Sequence, residues 1–326
     1  MKYLFLILFT VSLNAQILPS QQATHYKKNS AAAGLRAFNN CGNTGYDGPS
    51  QSDCNTAYAS SDLNGEVTVT SGIQYWTVPA TGTYTITAIG ATAGNTNEPT
   101  QTVGFPSQIT GDFSLNQGDV VKILVGQRGW MTVNTGNYYA WGGGGGTFVT
   151  KNDNTILVIA GGTGSAHFLI ASDWIGPFEL QSASLTSSGN QGASNTNNGT
   201  NGGGGSGGHG GDAAGYSGNG STGNSYRSNA ISGMPNHSIP QSFLNGGAGD
   251  AYGGGFGGAG GNTNYYGGGG GGYSGGAGSK WLAKSFYGGG GGSKNNGSNQ
   301  TNILKGGASA TDTNTTMSDG SVTITW

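Results

Sequence analysis

Apolar and polar residues alternate in the middle of the chain and again at its end. Thr83-Tyr84-Thr85-Ile86-Thr87-Ala88-Ile89 puts Tyr84, Ile86 and Ala88 on one face and threonines on the other, the period of a half-buried strand. Two short β-type runs, residues 66–70 and 73–78, precede it, and Pro79-Ala80-Thr81-Gly82 makes the turn between. Residues 109–115 form the next strand, and Gln117-Gly118 turns the chain into residues 119–125. Residues 147–150 and 155–160 flank Lys151-Asn152-Asp153-Asn154, which reads as a hairpin loop. The closing Ser321-Val322-Thr323-Ile324-Thr325-Trp326 alternates once more, with Val322, Ile324 and Trp326 on one face. About eight short strands with no amphipathic helix between them predict a mostly β protein, an antiparallel sandwich or jelly roll.

Between residues 161 and 318 this pattern gives way to glycine. More than half of the 68 glycines lie between residues 201 and 300, in runs such as 202–205, 253–255, 267–272 and 288–292, and an earlier run, 142–146, enters a strand. A flexible linker of this composition would carry charge, yet only 8% of residues are charged. Apolar residues also punctuate the runs, and a well-formed strand waits beyond them. Polyglycine has an ordered alternative, the extended helix of three residues per turn that makes no internal hydrogen bonds. Its amides must be satisfied by neighbouring helices, so only a bundle of several is stable. The segment is therefore expected to be a bundle of polyglycine-II helices inserted into the sandwich.

The amino end reads Met1-Lys2 followed by a short apolar run to Leu13 and then Asn14-Ala15, the pattern of a secretory leader cleaved after Ala15. The run is shorter than the roughly 20 residues that span a bilayer. Residues 16–60 form a polar lead-in, and 61–326 the glycine-rich domain. Cys41 and Cys54 lie in the lead-in and are expected to form a disulfide across their loop; they are too widely spaced for a CxxC motif. Twelve basic residues and a net charge of -2 leave no footprint for nucleic acid. No phosphate-binding, zinc-protease or nucleophile-elbow motif is present, and the histidines His25, His167, His209 and His237 are dispersed. His209 and Asp212 straddle two glycines, two candidate metal ligands without a third. No catalytic residue, cofactor or metal site is expected.

Several stretches resemble the glycine-rich domains related to the extracellular region of anaplastic lymphoma kinase and leukocyte tyrosine kinase. They are residues 72–91, 118–129, 142–149, 157–162, 267–276 and 320–326, an ordered series covering the chain from about residue 61. The resemblance implies a sandwich like that of tumour necrosis factor carrying a bundle of polyglycine helices, and a part in recognition outside the cell. Ala91-Thr92-Ala93-Gly94 departs from the usual double glycine at its corner. No HRD, DFG or VAIK motif is present, so kinase activity does not carry over.

The expected function is that of a secreted or cell-surface recognition or adhesion module that binds an extracellular protein or glycan. A structural matrix or envelope role and, less strongly, ice binding are the alternatives. Aromatic residues between the glycine runs, Tyr265, Tyr266, Tyr273, Trp281, Phe286 and Tyr287, are the candidate partner-binding residues. Capping the glycine bundle and filling its edges is the plainer role for them, and the two roles can fall to different residues. The sequons at Asn198, Asn219 and Asn296 would accept glycans only in a eukaryotic secretory route.

Overall fold

The computed structural model describes residues 33–94, 104–133, 138–165, 167–169, 178–193, 196–223, 237–263, 266–280, 287–305 and 317–326. All of them fall within one unit, Ala31–Trp326. The expected leader, residues 1–15, lies outside them. In chain order the elements are β1 (Leu35–Phe38), α1 (Gln51–Ala57), β2 (Val67–Thr70), β3 (Ile73–Thr77), β4 (Gly82–Ile89), β5 (Ser107–Leu115), β6 (Val120–Leu124) and β7 (Met131–Val133). Then come β8 (Tyr138–Trp141), β9 (Thr147–Lys151), β10 (Ile156–Ala160), β11 (His167–Leu169), α2 (Phe178–Gln181), β12 (Lys294–Asn295), β13 (Ser298–Leu304) and β14 (Ser321–Thr325).

Two antiparallel sheets form a β-sandwich, one in the order β1-β14-β4-β5-β13 and the other in the order β12-β10-β9-β6-β3-β2, with a small sheet β11-β8-β7 beside them. The alternating residues do what their period predicts. Tyr84, Ile86 and Ala88 of β4 and Val322 and Ile324 of β14 meet Trp76, Val121, Ile123 and Val149 of the other sheet in the main core. Thr85 and Thr87 point the other way, where they bond Asp112 at 2.6 Å and Thr110 at 2.9 Å. Strand β10 breaks strict alternation, since both Leu157 and Val158 enter the main core. A shift in the β9–β10 register between Ile156 and Val158 is the cause: a bulge adds one residue and turns two neighbours to one face.

The six-stranded sheet is buried on both sides. Ile73, Leu124, Phe148 and Ile159 point away from the main core and pack with Phe243 and Phe256 of the glycine-rich segment. A Ser71-Gly72 turn, with φ of 49° and 78°, joins β2 to β3 in the left-handed geometry of a tight hairpin.

Hydrogen bonds in the glycine-rich layer repeat every three residues. Gly142 and Gly145 donate to Trp130 and Gln127, Gly143 and Gly146 to Gly260 and Gly257, and Gly144 to Thr163. The run 288–292 behaves alike: Gly288 and Gly291 donate to Ser165 and Gly162, Gly289 and Gly292 to Ala277 and Ser274, and Gly290 to Leu180. Each run therefore bonds three neighbours in three directions, and the close approach leaves no room for side chains.

The two sheet edges differ from the sequence reading. Residues 298–304, assigned there to the glycine insert, form β13 at the edge of the five-stranded sheet. Residues 35–38 of the lead-in form β1 at the opposite edge, paired with β14. Among the described residues no helix is long and apolar enough to cross a membrane.

Candidate binding cleft at the disulfide loop

Cys41 and Cys54 are joined in a disulfide, and both are buried in the main core. The loop they close ends in α1, whose start is fixed by a capping box. Ser50 accepts from the Asp53 amide, and the Asp53 carboxylate accepts from the Ser50 amide at 2.8 Å. Gln51 then covers the edge of β2, donating to the Val67 carbonyl at 3.0 Å and accepting from the Val69 amide at 2.7 Å. The loop is pinned to the glycine layer as well. Its Gly45 carbonyl accepts from Phe256 N at 2.7 Å and its Tyr46 carbonyl from Gly249 N at 2.9 Å. Within the loop, the Asn43 side chain donates to the Asp47 carbonyl at 3.1 Å.

A hollow opens on each side of this loop. The first, about 390 Å³, is lined by Asn43, Thr44, Gly45, Tyr46, Asp47, Arg128 and Trp130. The rings of Tyr46 and Trp130, both half-buried, stand 6.0 Å apart at 33° and form its apolar walls. Arg128 and Asp47 are exposed at its rim. Behind Arg128, Asp319 accepts from the Arg128 amide at 2.9 Å and from the Asn40 side chain at 2.9 Å. Burial pushes the Asp319 carboxyl above the ordinary aspartate value, partly offset by these donors. The second hollow, about 400 Å³, shares Asp47 and is lined by Gln51, Val69, Ser71, Asn245 and Phe256 among others. Chemically, the first hollow offers two ring faces, one cation, one anion, an amide and a hydroxyl. That set is chemically able to hold and orient a small polar ligand.

The disulfide holds the wall that carries Tyr46. Replacing both cysteines by alanine is expected to cost about 3 kcal/mol, the typical worth of closing a loop of this size. Urea denaturation of the double variant against the parent measures it.

The described aromatic residues singled out from sequence, Tyr266, Tyr273 and Tyr287, do not line either hollow. Tyr266 is buried, its ring edge-on to His209 at 4.9 Å. Tyr287 is buried too, and burial raises its phenol pKa. Tyr273 is half-buried, with the Tyr216 ring 6.3 Å away and the Lys294 ammonium 5.6 Å above its face. Tyr265, Trp281 and Phe286 lie outside the described residues. Tyr46 was not singled out from sequence, although it is the single aromatic inside the Cys41–Cys54 loop. Nothing in the sequence set it beside Trp130.

Two buried carboxylates serve the glycine layer. Asp212 accepts from Gly208 N at 3.1 Å, Gly278 N at 2.8 Å and Ser221 Oγ at 2.5 Å. Asp250 accepts from the Ser238 and Tyr252 amides at 3.0 Å each and lies 2.9 Å from His237 Nδ1. Among the described residues no group of three or more His, Cys, Asp or Glu side chains could hold a metal ion. Burial lifts the Asp212 carboxyl above the ordinary value of 3.8, more than its donors lower it. The folded state then holds this proton more tightly than the unfolded chain. Its contribution to stability is full below about pH 3.8 and is lost as pH rises through the folded value. The stability of the parent relative to Asp212→Asn should therefore fall from pH 3 to pH 7 in urea titrations. A flat or rising difference would contradict this.

No family model matches the chain. A stretch of 95 residues, 28% of the chain, is 38% identical to the leukocyte tyrosine kinase receptor of Mus musculus. The match spans 11% of that receptor's length.

Proposed function

We propose that this chain is an extracellular, non-catalytic recognition module that binds a protein or glycan partner through the cleft beside its disulfide loop. The observation that carries the reading is the Tyr46–Trp130 cleft with charged groups at its rim, on a loop cross-linked at its base and pinned to a rigid layer. Pre-organisation of this kind lowers the entropy lost on binding. The disulfide and the partial similarity to a receptor support a secreted or cell-surface setting, with residues 1–15 as the leader. N-terminal sequencing of the exported protein tests the leader; a chain that keeps Met1 would refute it.

The glycine layer is read as a bundle of polyglycine-II helices, a reading supported by the three-residue repeat of its hydrogen bonds. In this role it is a stiff support for the loop. A second contact region is favoured at Tyr273, because Lys294 over its half-buried ring pairs a cation with an aromatic face.

The test is binding of the purified protein to intact cells and a glycan panel. Saturable binding is expected to weaken at least about tenfold with Trp130→Ala, a loss of about 1.4 kcal/mol. Tyr273→Ala reports on the second region. A folded protein that binds nothing but self-associates would instead be a matrix component, and one that produces thermal hysteresis an ice-binding protein.

A further inference from the structure

Building on the recognition reading, we infer that the cleft between the disulfide loop and Trp130 is a saccharide subsite that takes a neutral hexose. The sugar ring stacks on Trp130 beside the Tyr46 ring, and its hydroxyls are shared between Asp47 and Arg128.

Three features select this class of ligand. The first is what the main chain has already spent. The carbonyls of Asn43, Gly45, Tyr46 and Asp47 accept internal hydrogen bonds, and the amides of Arg128 and Trp130 donate to Asp319 and Gly253. An extended peptide docks by pairing with a free strand edge, and none of the residues that line the hollow belongs to a strand. The lining side chains, a carboxylate, a guanidinium, an amide and a hydroxyl, suit a ligand built of hydroxyl groups.

The second feature is charge. Asp47 and Arg128 are the two exposed charges of the lining, and they are opposite. Their fields cancel at a distance, so the cleft neither gathers anions nor repels neutral molecules. Each can still make charge-assisted hydrogen bonds: the carboxylate accepts from sugar hydroxyls and the guanidinium donates to them.

The third is shape. Ring centroids 6.0 Å apart and tilted 33° put the two rings in contact with each other, so a sugar does not pass between them and its C–H face instead covers the open face of the indole. A hollow of about 390 Å³ lies at the small end of the range for small-molecule sites. Gly45, at φ 134°, faces the Trp130 ring, where a Cβ would come within 3.8 Å of it. Its lack of a side chain leaves that part of the ring uncovered.

The experiment is a titration of the full exported protein, followed by indole fluorescence and calorimetry, at low and high salt. The probes are mannotriose, maltotriose, cellotriose and lactose, with oligogalacturonate and heparin oligosaccharides as acidic counterparts. At least one neutral probe is expected to bind saturably, with affinity unchanged by salt. Trp130→Ala and Asp47→Ala should each weaken it at least about tenfold, and Ile303→Ala, on the exposed edge strand β13, should leave it unaltered. Asp47 is exposed, so a matching melting temperature for Asp47→Ala separates loss of contact from loss of fold. No binding by any neutral probe, or binding only by acidic probes that salt abolishes, overturns the saccharide assignment. If cell binding still depends on Trp130 in that case, the recognition reading stands and only the ligand class falls. If neither sugar nor cell binding depends on Trp130, both fall.

Discussion

Gly145→Ala is expected to destabilise the protein by more than about 3 kcal/mol, a large part of the 5–15 kcal/mol that holds a typical domain together. A Cβ at this position would lie inside the van der Waals envelope of the Phe256 carbonyl oxygen. That oxygen is not free to withdraw, because it accepts from Gln127 N at 2.8 Å, and the Gln127 carbonyl in turn accepts from Gly145 N at 2.9 Å. The Phe256 amide is held as well, by Gly45 of the disulfide loop. Relief must therefore break backbone hydrogen bonds in a layer where water cannot replace them. Gly82→Ala is the matched control. Its Cβ would meet only the Tyr84 ring at 3.8 Å, an ordinary contact, and the change should stay within about 0.5 kcal/mol. Thermal and urea denaturation of both variants decide the matter. A Gly145→Ala protein as stable as the parent would show that the run behaves as a linker and not as a packed helix.

Phe256→Ala is expected to cost about 3–5 kcal/mol and to weaken ligand capture as well. The ring is 1% exposed and packs with Leu124, Phe148 and Phe243 in the second core, so its removal leaves a cavity under the six-stranded sheet. It also fills the space that side chains at Gly48 and Gly72 would occupy. Thus one ring joins the glycine layer, the β2–β3 turn and the disulfide loop. Losing it should raise the denaturant sensitivity of the whole unit and loosen the wall that carries Tyr46. Ile303→Ala, at a side chain 45% exposed on the edge strand β13, should change stability by less than about 0.5 kcal/mol. If Phe256→Ala unfolds at the parent's urea midpoint, the ring does not couple the layers.

Strands that face the core on one side were legible because their alternation is a local property. The Thr83–Ile89 run and the closing Val322-Thr323-Ile324 run are the clearest cases. β13 was not legible. Ser298-Asn299-Gln300-Thr301-Asn302-Ile303-Leu304 is polar, mostly exposed and lies at a sheet edge, so it has no buried face to impose a period. β1 was hidden for a similar reason: of its four residues only Phe38 is buried, and pairing with β14 defines the strand.

The glycine runs show the same division. Their composition alone required an ordered, side-chain-free packing, because polyglycine amides must find partners outside their own segment. Which segments supply those partners could not be read. Gly143 bonding Gly260 and Gly291 bonding Gly162 follow from how the layer closes, and glycines carry no side chains to label their neighbours. For the proposed binding region the limit was sharper. Sequence singled out aromatics lying between glycine runs, and folding buried Tyr266 and Tyr287 there.

By itself, then, the sequence determined a β-sandwich, a disulfide at Cys41–Cys54 and a glycine-rich layer, since alternation, cysteine pairing and backbone hydrogen-bond demand act over short stretches of chain. Only the tertiary structure decided where a cleft could form. Tyr46, Arg128 and Trp130 meet because the disulfide loop is pinned to Gly249 and Phe256 while Trp130 is held by Gly253, contacts between residues far apart in the chain. Such proximity depends on loops closing over long distances, which no local pattern of residues encodes.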